Sequence, residues 1–82
     1  MTISIPMNNL KEGQSGVIIS VPPDCFIYRR FSDLGIIKGT SVKCVRKKRG
    51  TAAYSIRQTV FAMRESDVEN IMIQLCEAEE ND

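Results

Sequence analysis

The apolar residues of this 82-residue chain come in short runs, none longer than four residues. The longest are residues 25–28 and 60–63, whereas a helix needs about 20 apolar residues to cross a bilayer. Short runs bounded by glycine, proline and charged residues are typical of strands in small β domains. The pattern therefore predicts a β-rich fold and no insertion into a membrane.

A chain of this length forms one domain, because it buries only about 60% of the surface that its unfolded form exposes. Its apolar share of 43% and its charged share of 26% are ordinary for a folded globular protein. We expect a single domain over residues 1–76, followed by a flexible acidic tail over residues 77–82. The first residues lack the basic start and continuous apolar stretch of a secretory signal, which favours a cytoplasmic location.

Five segments have the β-branched or alternating side chains of strands. They are residues 15–21, 40–46, 54–57, 59–64 and 71–75. Between the first two, Asp24 is placed to cap a helix. The apolar stripe of that helix is formed by Ile27, Phe31 and Leu34, at positions i, i+4 and i+7. Gly35 supplies the left-handed residue that commonly closes a helix, so we expect about three turns that end there.

The connections between the later strands are polar. Residues 46–50 contain no apolar side chain and end in glycine, which favours a solvated loop. A tight turn at Gln58 would join the third and fourth strands, and Ser66 would cap a single helical turn before the last strand. Five short strands, with one α-helix inserted after the first strand, suit a mainly β fold of the small SH3-like barrel type.

Charge is balanced in total but segregated along the chain. Ten of the eleven basic side chains lie within residues 29–64, where Asp33 is the sole acid. The rest of the chain sets Lys11 against nine acidic side chains, although the formal net charge is only +1. The basic centre could meet an acidic protein surface, a phosphate backbone or the acidic tail of its own chain. Composition alone does not choose among these three kinds of partner.

The residue types needed for catalysis are scarce. The chain contains no histidine, so the commonest general base and the commonest neutral metal ligand are both missing. Its three cysteines form no CxxC pair, and Cys44 is expected to pack as a small hydrophobe in a strand. Gly13 and Gly16 precede a strand, whereas the glycines of phosphate-binding loops precede a helix. We therefore expect no enzymatic activity.

A divalent metal would have to rely on carboxylates. Glu65, Asp67 and Glu69 alternate within one segment and could offer oxygen ligands to Fe²⁺ or Mn²⁺. A cysteine brought close by folding could add sulfur. Ordered ligand spacing is missing, so a solvated acidic turn is the favoured interpretation.

Residues 29–42, with the sequence RRFSDLGIIKGTSV, resemble the signature of the ferrous-iron transport protein A (FeoA) family. Its members carry an arginine, a large apolar residue, then Leu-Gly, an apolar pair and Gly-Thr before a strand. The residues that match this structural motif include Leu34, Gly35, Gly39 and Thr40. Flanking similarity extends the resemblance to residues 8–75, although Gln58 stands where family members often have glycine.

The resemblance implies a small cytoplasmic accessory that binds the cytoplasmic part of the membrane ferrous-iron transporter FeoB, and we expect a monomer. Similar domains occur at the end of iron-dependent repressors, so a metal-responsive regulatory domain is one alternative. Nucleic-acid binding through residues 46–49 is another, although few aromatic side chains are left for base stacking. The candidate partner-binding residues are Arg29, Arg30, Arg46, Lys47, Lys48, Arg49 and Arg64.

Overall fold

The computed structural model describes residues 3–24 and 27–75. Within these ranges the chain forms six strands, two short α-helices and one short 3-10 helix. The elements are β1 (Ser4–Pro6), the 3-10 helix (Met7–Asn9), β2 (Ser15–Ser20), α1 (Tyr28–Asp33), β3 (Ser41–Lys48), β4 (Thr51–Ile56), β5 (Thr59–Arg64), α2 (Glu65–Val68) and β6 (Met72–Leu75). The predicted tail, residues 77–82, lies outside the described residues.

The strands form one antiparallel sheet in the order β1-β6-β2-β3-β4-β5. A mainly β domain is thus confirmed, with α1 inserted between β2 and β3. Strand β1 is an addition to the five predicted strands, so that α1 follows the second strand and not the first. It is three residues long and pairs with β6. Three residues are too few for a periodic pattern to stand out in the sequence.

The core is built from alternate residues of the strands and from a few anchors outside them. Tyr54, Ile18 and Ile73 are wholly buried, as period-2 alternation requires of side chains on the inner face of a sheet. Phe31 of α1 packs into the same cluster. Cys44 is buried and free, as expected for a small apolar filler.

Helix α1 is shorter than predicted. It begins at Tyr28 instead of following a cap at Asp24, and it spans six residues. Its end is as predicted: Gly35 has a φ of +77° and donates its N–H to the Ser32 carbonyl at 3.0 Å. The Ile36 N–H bonds the Phe31 carbonyl at 2.8 Å, which completes a Schellman motif. Packing of Phe31 and this C-terminal cap define α1, with no N-cap side chain.

The Gly-Thr pair of the motif closes the connection from α1 to β3. Gly39 has a φ of +96° and donates its N–H to the Ile18 carbonyl at 2.7 Å. Thr40 is buried, and its Oγ1 accepts a hydrogen bond from the Ile37 N–H at 3.1 Å. The Ile18 N–H in turn bonds the Thr40 carbonyl at 2.9 Å. These bonds tie the connection to β2, which gives the motif a structural role.

Two further local predictions, both for segments after α1, are wrong. Residues 46–50 are not a loop, because β3 continues to Lys48 and pairs there with Thr51. Only two residues then turn the chain into β4, and the second, Gly50, has a φ of +73°. Ser66 is not a cap either, since α2 begins one residue earlier and has no side-chain cap bond. The predicted turn at Gln58 does form, as the second residue of a two-residue hairpin turn.

Burial of Tyr54 predicts alkaline destabilisation. Desolvation raises the pKa of its phenol above the ordinary value of 10.0, helped by Cys44 and Glu65, while its hydroxyl lies 3.4 Å from the Met7 carbonyl. The contribution of Tyr54 to the free energy of unfolding is therefore fully present below pH 10. It falls above pH 10, because there the unfolded chain releases the phenol proton while the folded chain retains it.

The measurement is urea unfolding between pH 8 and pH 11. Tyr54→Phe is expected to flatten the decline above pH 10 by up to about 1.4 kcal/mol per pH unit. Tyr28→Phe changes an exposed tyrosine and should keep the wild-type slope. Equal slopes for all three proteins would contradict the prediction.

Candidate partner-binding surface

The outer face of the β3–β5 sheet presents three cross-strand rows of side chains. Neighbours within such a row have Cβ atoms about 4.5–5.5 Å apart, so each row acts as a unit. Every row starts with a cation on β3 and crosses a small residue on β4. The rows are Lys48, Thr51 and Arg64, then Arg46, Ala53 and Ala62, then Lys43, Ser55 and Val60.

The register, and not the order of residues in the chain, brings the cations together. A bulge between Cys44 and Arg46 inserts one residue into β3, so Lys43 and Arg46 both point outward although they are three positions apart. Arg64 reaches the same face from β5. We call this surface the basic face and define it by Lys43, Arg46, Lys48 and Arg64, all exposed.

The small residues between the cations leave the basic face open. Ala53 and Ser55 are half-buried, and Ala62 is exposed. No side chain larger than threonine stands on β4 at the centre of this face. A partner can therefore approach the sheet closely while its acidic groups meet the cations at the sides.

Lys47 differs from its neighbours because it points toward the interior. Its Nζ donates to the Asn8 carbonyl at 2.6 Å and lies 3.8 Å from a Glu65 carboxylate oxygen. Its backbone N–H bonds a Glu12 carboxylate oxygen at 2.7 Å. These bonds explain how a strand continues through a run of basic residues: the lysine stem packs and its charged end is satisfied. Lys47 therefore links β3 to the 3-10 helix and to α2.

A pair of variants separates the structural lysine from its exposed neighbour. Lys47→Ala should lower the free energy of unfolding by about 1–2 kcal/mol, since it removes a charged hydrogen bond and leaves the Asn8 carbonyl unpaired by side chains. Lys48→Ala on the same strand should change it by less than about 0.5 kcal/mol. Urea unfolding of both variants makes the comparison, and equal losses would contradict the assignment.

A groove of about 460 Å³ lies between α1 and β5. Phe31 and Met63, both buried, lie at its base. Leu34 lines it and is 45% exposed, so this residue stands at the rim and not on the packed stripe as predicted. The reason is its position at the C-cap, where α1 ends and the chain turns away from the core.

The remaining candidates are dispersed. Arg29 lies exposed on α1, and Arg49 lies exposed in the turn between β3 and β4. Arg30 lines the groove together with Arg64. The groove thus has two arginines on opposite walls, one from the helix and one from the strand.

The proposed carboxylate ligands lie on and just after α2. Glu65 and Asp67 are in its first turn, and Glu69 is its C-cap. Glu65 faces Lys47, and Asp67 lines the α1–β5 groove. Across residues 3–24 and 27–75, no group of three or more acidic or cysteine side chains is placed to hold a metal ion.

Sequence patterns missed several residues of this surface. Lys43 was outside the basic run, and Val60, Ala62 and Ala53 carry no charge to draw attention. The two-residue turn after β4 fixes the register of β5 and is the signal that could have placed Val60 and Ala62 on this face. Lys43 depends on the β3 bulge, which leaves no such signal.

No helix within the described ranges has the length and apolarity needed to cross a membrane.

Six short antiparallel strands with a helix in one connection and a polar outer face form an SH3-like fold. A family model for the FeoA domain matches residues 5–75. The chain belongs to the FeoA family, whose members are non-catalytic accessory domains associated with ferrous iron transport.

Solved structures agree with this assignment. A FeoA-like protein from Clostridium acetobutylicum is similar at 21% identity and a TM-score of 0.83, over 100% of this chain and 98% of that one. Stenotrophomonas maltophilia FeoA, a prokaryotic SH3 domain protein solved with zinc, has 27% identity and a TM-score of 0.72, over 84% of this chain and 88% of that one.

A manganese-dependent transcriptional repressor shares the fold. Its TM-score is 0.79 at 13% identity, and the match covers 93% of this chain but 44% of the repressor. Because the two sequences are only 13% identical, this similarity shows a shared fold and nothing about function. No curated protein sequence matches the chain significantly.

Proposed function

We propose that this chain is a cytoplasmic accessory of ferrous iron transport that binds the cytoplasmic part of a FeoB-type membrane transporter. The observation that carries the proposal is the FeoA domain match over residues 5–75. The S. maltophilia relative, described as a candidate ferrous iron transport activating factor, supports the same role. The chain acts by binding, as a monomer.

The basic face is the docking surface in this proposal. Four exposed cations in register, with small residues between them, suit an acidic protein surface that lies flat on the sheet. Arg49, in the turn that directly follows Lys48, extends the positive field at one end of this face, which speeds encounter with an acidic partner. Lys47 contributes by holding β3 in place, since its ammonium group is already bound within the domain.

Nucleic acid fits this face less well. The cations could neutralise phosphates, but single-stranded binding also needs exposed aromatic side chains. Among the aromatic residues within 3–24 and 27–75, Tyr54 and Phe31 are buried, Phe61 is half-buried, and Tyr28 stands on α1 away from the rows of the basic face. The partner chemistry is therefore that of a carboxylate-rich protein surface.

A resident metal does not fit the described residues. Zinc accompanies the S. maltophilia relative, and Fe²⁺ or Mn²⁺ would be the ions of interest for an iron-transport module. The acidic side chains of α2 are divided between Lys47 and the groove and do not converge on one point. The proposed function accordingly requires no bound ion.

The test is a binding assay between the full chain and the cytoplasmic part of a FeoB-type transporter. Binding is expected, with an affinity that falls as salt rises from about 0.05 M to 0.5 M because exposed charges are screened. A mixed-sequence oligonucleotide should not displace the transporter fragment. A folded protein that binds the oligonucleotide but not the fragment would overturn the proposal.

A further inference from the structure

Strand β5 is one end of the sheet, so its outer edge has no strand partner within residues 3–24 and 27–75. The β4–β5 hairpin has a two-residue turn at Arg57 and Gln58, with φ values of +52° and +68°. In such a hairpin the residues flanking the turn form a hydrogen-bonded pair, and bonded pairs then alternate along the strands.

The alternation fixes which backbone groups face outward. Thr59 and Phe61 bond to β4, whereas the N–H and C=O groups of Val60, Ala62 and Arg64 point away from it. The far end of the hairpin agrees, because the Glu65 N–H bonds the Gly50 carbonyl at 2.9 Å, as the next bonded pair should. Three residues, spaced by two, thus present donor and acceptor pairs along a free edge.

This edge is one wall of the α1–β5 groove. Val60, Ala62 and Arg64 all line it, and Arg30 and Leu34 line it from the helix. An extended backbone repeats every two residues at about 6.8 Å, which matches the spacing of the exposed groups. The volume of about 460 Å³ lies within the range of ligand-binding clefts.

The two ends of the groove differ in chemistry. A β-carbon at Gly35 would lie 4.0 Å from Arg57 Cζ, so the C-terminal end of α1 stands beside the β4–β5 turn. Leu34 is therefore at the same end as Val60, which is 61% exposed. Arg30, one helical turn earlier, lies toward Arg64. One end is apolar and the other is charged, where Arg30 and Arg64 outnumber Asp67, which follows β5 on α2 and also lines the groove.

We propose that this groove binds an extended segment of a partner protein as an additional strand on β5. The segment bonds the outward backbone groups of Val60, Ala62 and Arg64 and turns alternate apolar side chains toward Phe31 and Met63. A carboxylate at one end of the segment meets Arg30 and Arg64. Strand addition of this kind takes affinity from the backbone and specificity from the side-chain pockets.

The inference deepens the proposed function and rests on it for the identity of the partner. A transporter that lies against the basic face would place a carboxylate-containing segment next to this groove, because Ala62 and Arg64 belong to both surfaces. The occupant is a segment of that partner. A second copy of this chain, pairing β5 with β5, is the competing occupant.

The test uses a displayed library of random peptides about ten residues long, selected on the full chain and followed by synthesis of the enriched peptides. Enriched peptides should alternate apolar residues and carry an acid near one end. Cross-strand nuclear Overhauser effects should join their backbone to the amides of Val60, Ala62 and Arg64. Enrichment of no peptide, or contacts at another strand, would overturn the proposal.

Two substitutions at one position give a matched comparison. Ala62→Pro removes the outward N–H at an edge position that tolerates proline, and it should weaken an enriched peptide at least about tenfold. Ala62→Val keeps the N–H and should bind as the wild type does. Amide spectra establish that both variants fold. Equal binding by the two would contradict strand addition.

Arg30→Glu should weaken the binding of acidic peptides and leave unchanged the binding of peptides in which the acid is replaced by glutamine.

Further outcomes separate this inference from the proposed function. If Ala62→Pro binds the transporter fragment as the wild type does, the groove proposal fails while the proposed function stands. If peptides bind but the fragment does not, the proposed function fails alone. A β5-mediated dimer that excludes peptide would show that a second copy is the occupant and would overturn the inference.

Discussion

Replacing Gly16 by valine is expected to abolish stable folding at 25 °C. Gly16 is buried in β2, where it pairs with Leu75 of the neighbouring strand β6. Its missing β-carbon leaves the space that the Ile73 side chain occupies, and any β-carbon would lie only 2.5 Å from the Gln74 carbonyl oxygen. A side chain could yield, but a backbone oxygen in a sheet cannot move without breaking strand pairing.

The alanine variant gives a measurable version of this effect. Gly16→Ala should lower the free energy of unfolding by about 3 kcal/mol or more, at the upper end of overpacking costs. Gly39→Ala is the control, because a β-carbon there meets nothing within 4 Å and only the φ of +96° opposes it. That strain is worth about 1–2 kcal/mol. Urea unfolding of the two variants decides, and a larger loss for Gly39→Ala would contradict the account.

Reversing two charges on the basic face is expected to weaken transporter binding by a factor of about 100 or more. Arg46→Glu with Lys48→Glu turns attraction at two adjacent rows into repulsion, and like charges placed against each other at an interface cost several kcal/mol. The free energy of unfolding should change little, since both side chains are exposed.

The matched control carries the same change in net charge at other sites. Lys11→Glu with Lys38→Glu reverses two exposed lysines that are not in the cross-strand rows. Long-range steering is reduced equally in both double variants, so any difference reports contact at the basic face. Titration calorimetry with the transporter fragment measures both. Equal weakening would mean that only the net charge matters and that the basic face is not the docking surface.

Local chemistry made part of the fold predictable. Gly35 and Gly39 occupy left-handed positions that physical constraints nearly reserve for glycine, so their place in the sequence located the end of α1 and the turn before β3. Cys44 was placed in the core by alternation alone. These features depend on near neighbours in the chain.

Features that depend on distant residues were not predictable. Strand β1 exists because β6 offers it a partner, and β3 extends through Lys47 because Asn8 and Glu65 satisfy the ammonium group. Neither contact leaves a local pattern. The predicted start of α1 at Asp24 failed for a related reason, since the packing of Phe31 and the cap at Gly35 define this helix.

The candidate surface follows the same division. The sequence identified the basic residue types, but the register of three strands decided which of them share a face. The register adds Lys43 to the basic face through the β3 bulge, and it turns the Lys47 side chain inward. The α1–β5 groove could not be foreseen, because Leu34 fits the apolar stripe by spacing and is exposed only because α1 ends there.

Amide chemical-shift mapping tests the central claim most directly. The full ¹⁵N-labelled chain is titrated with the cytoplasmic part of a FeoB-type transporter while every backbone amide is observed. The account predicts that the shifts concentrate on the outer face of β3, β4 and β5 and on the wall of α1 that faces β5. Shifts confined to β1 and β6, or none at all at saturating fragment, would contradict it.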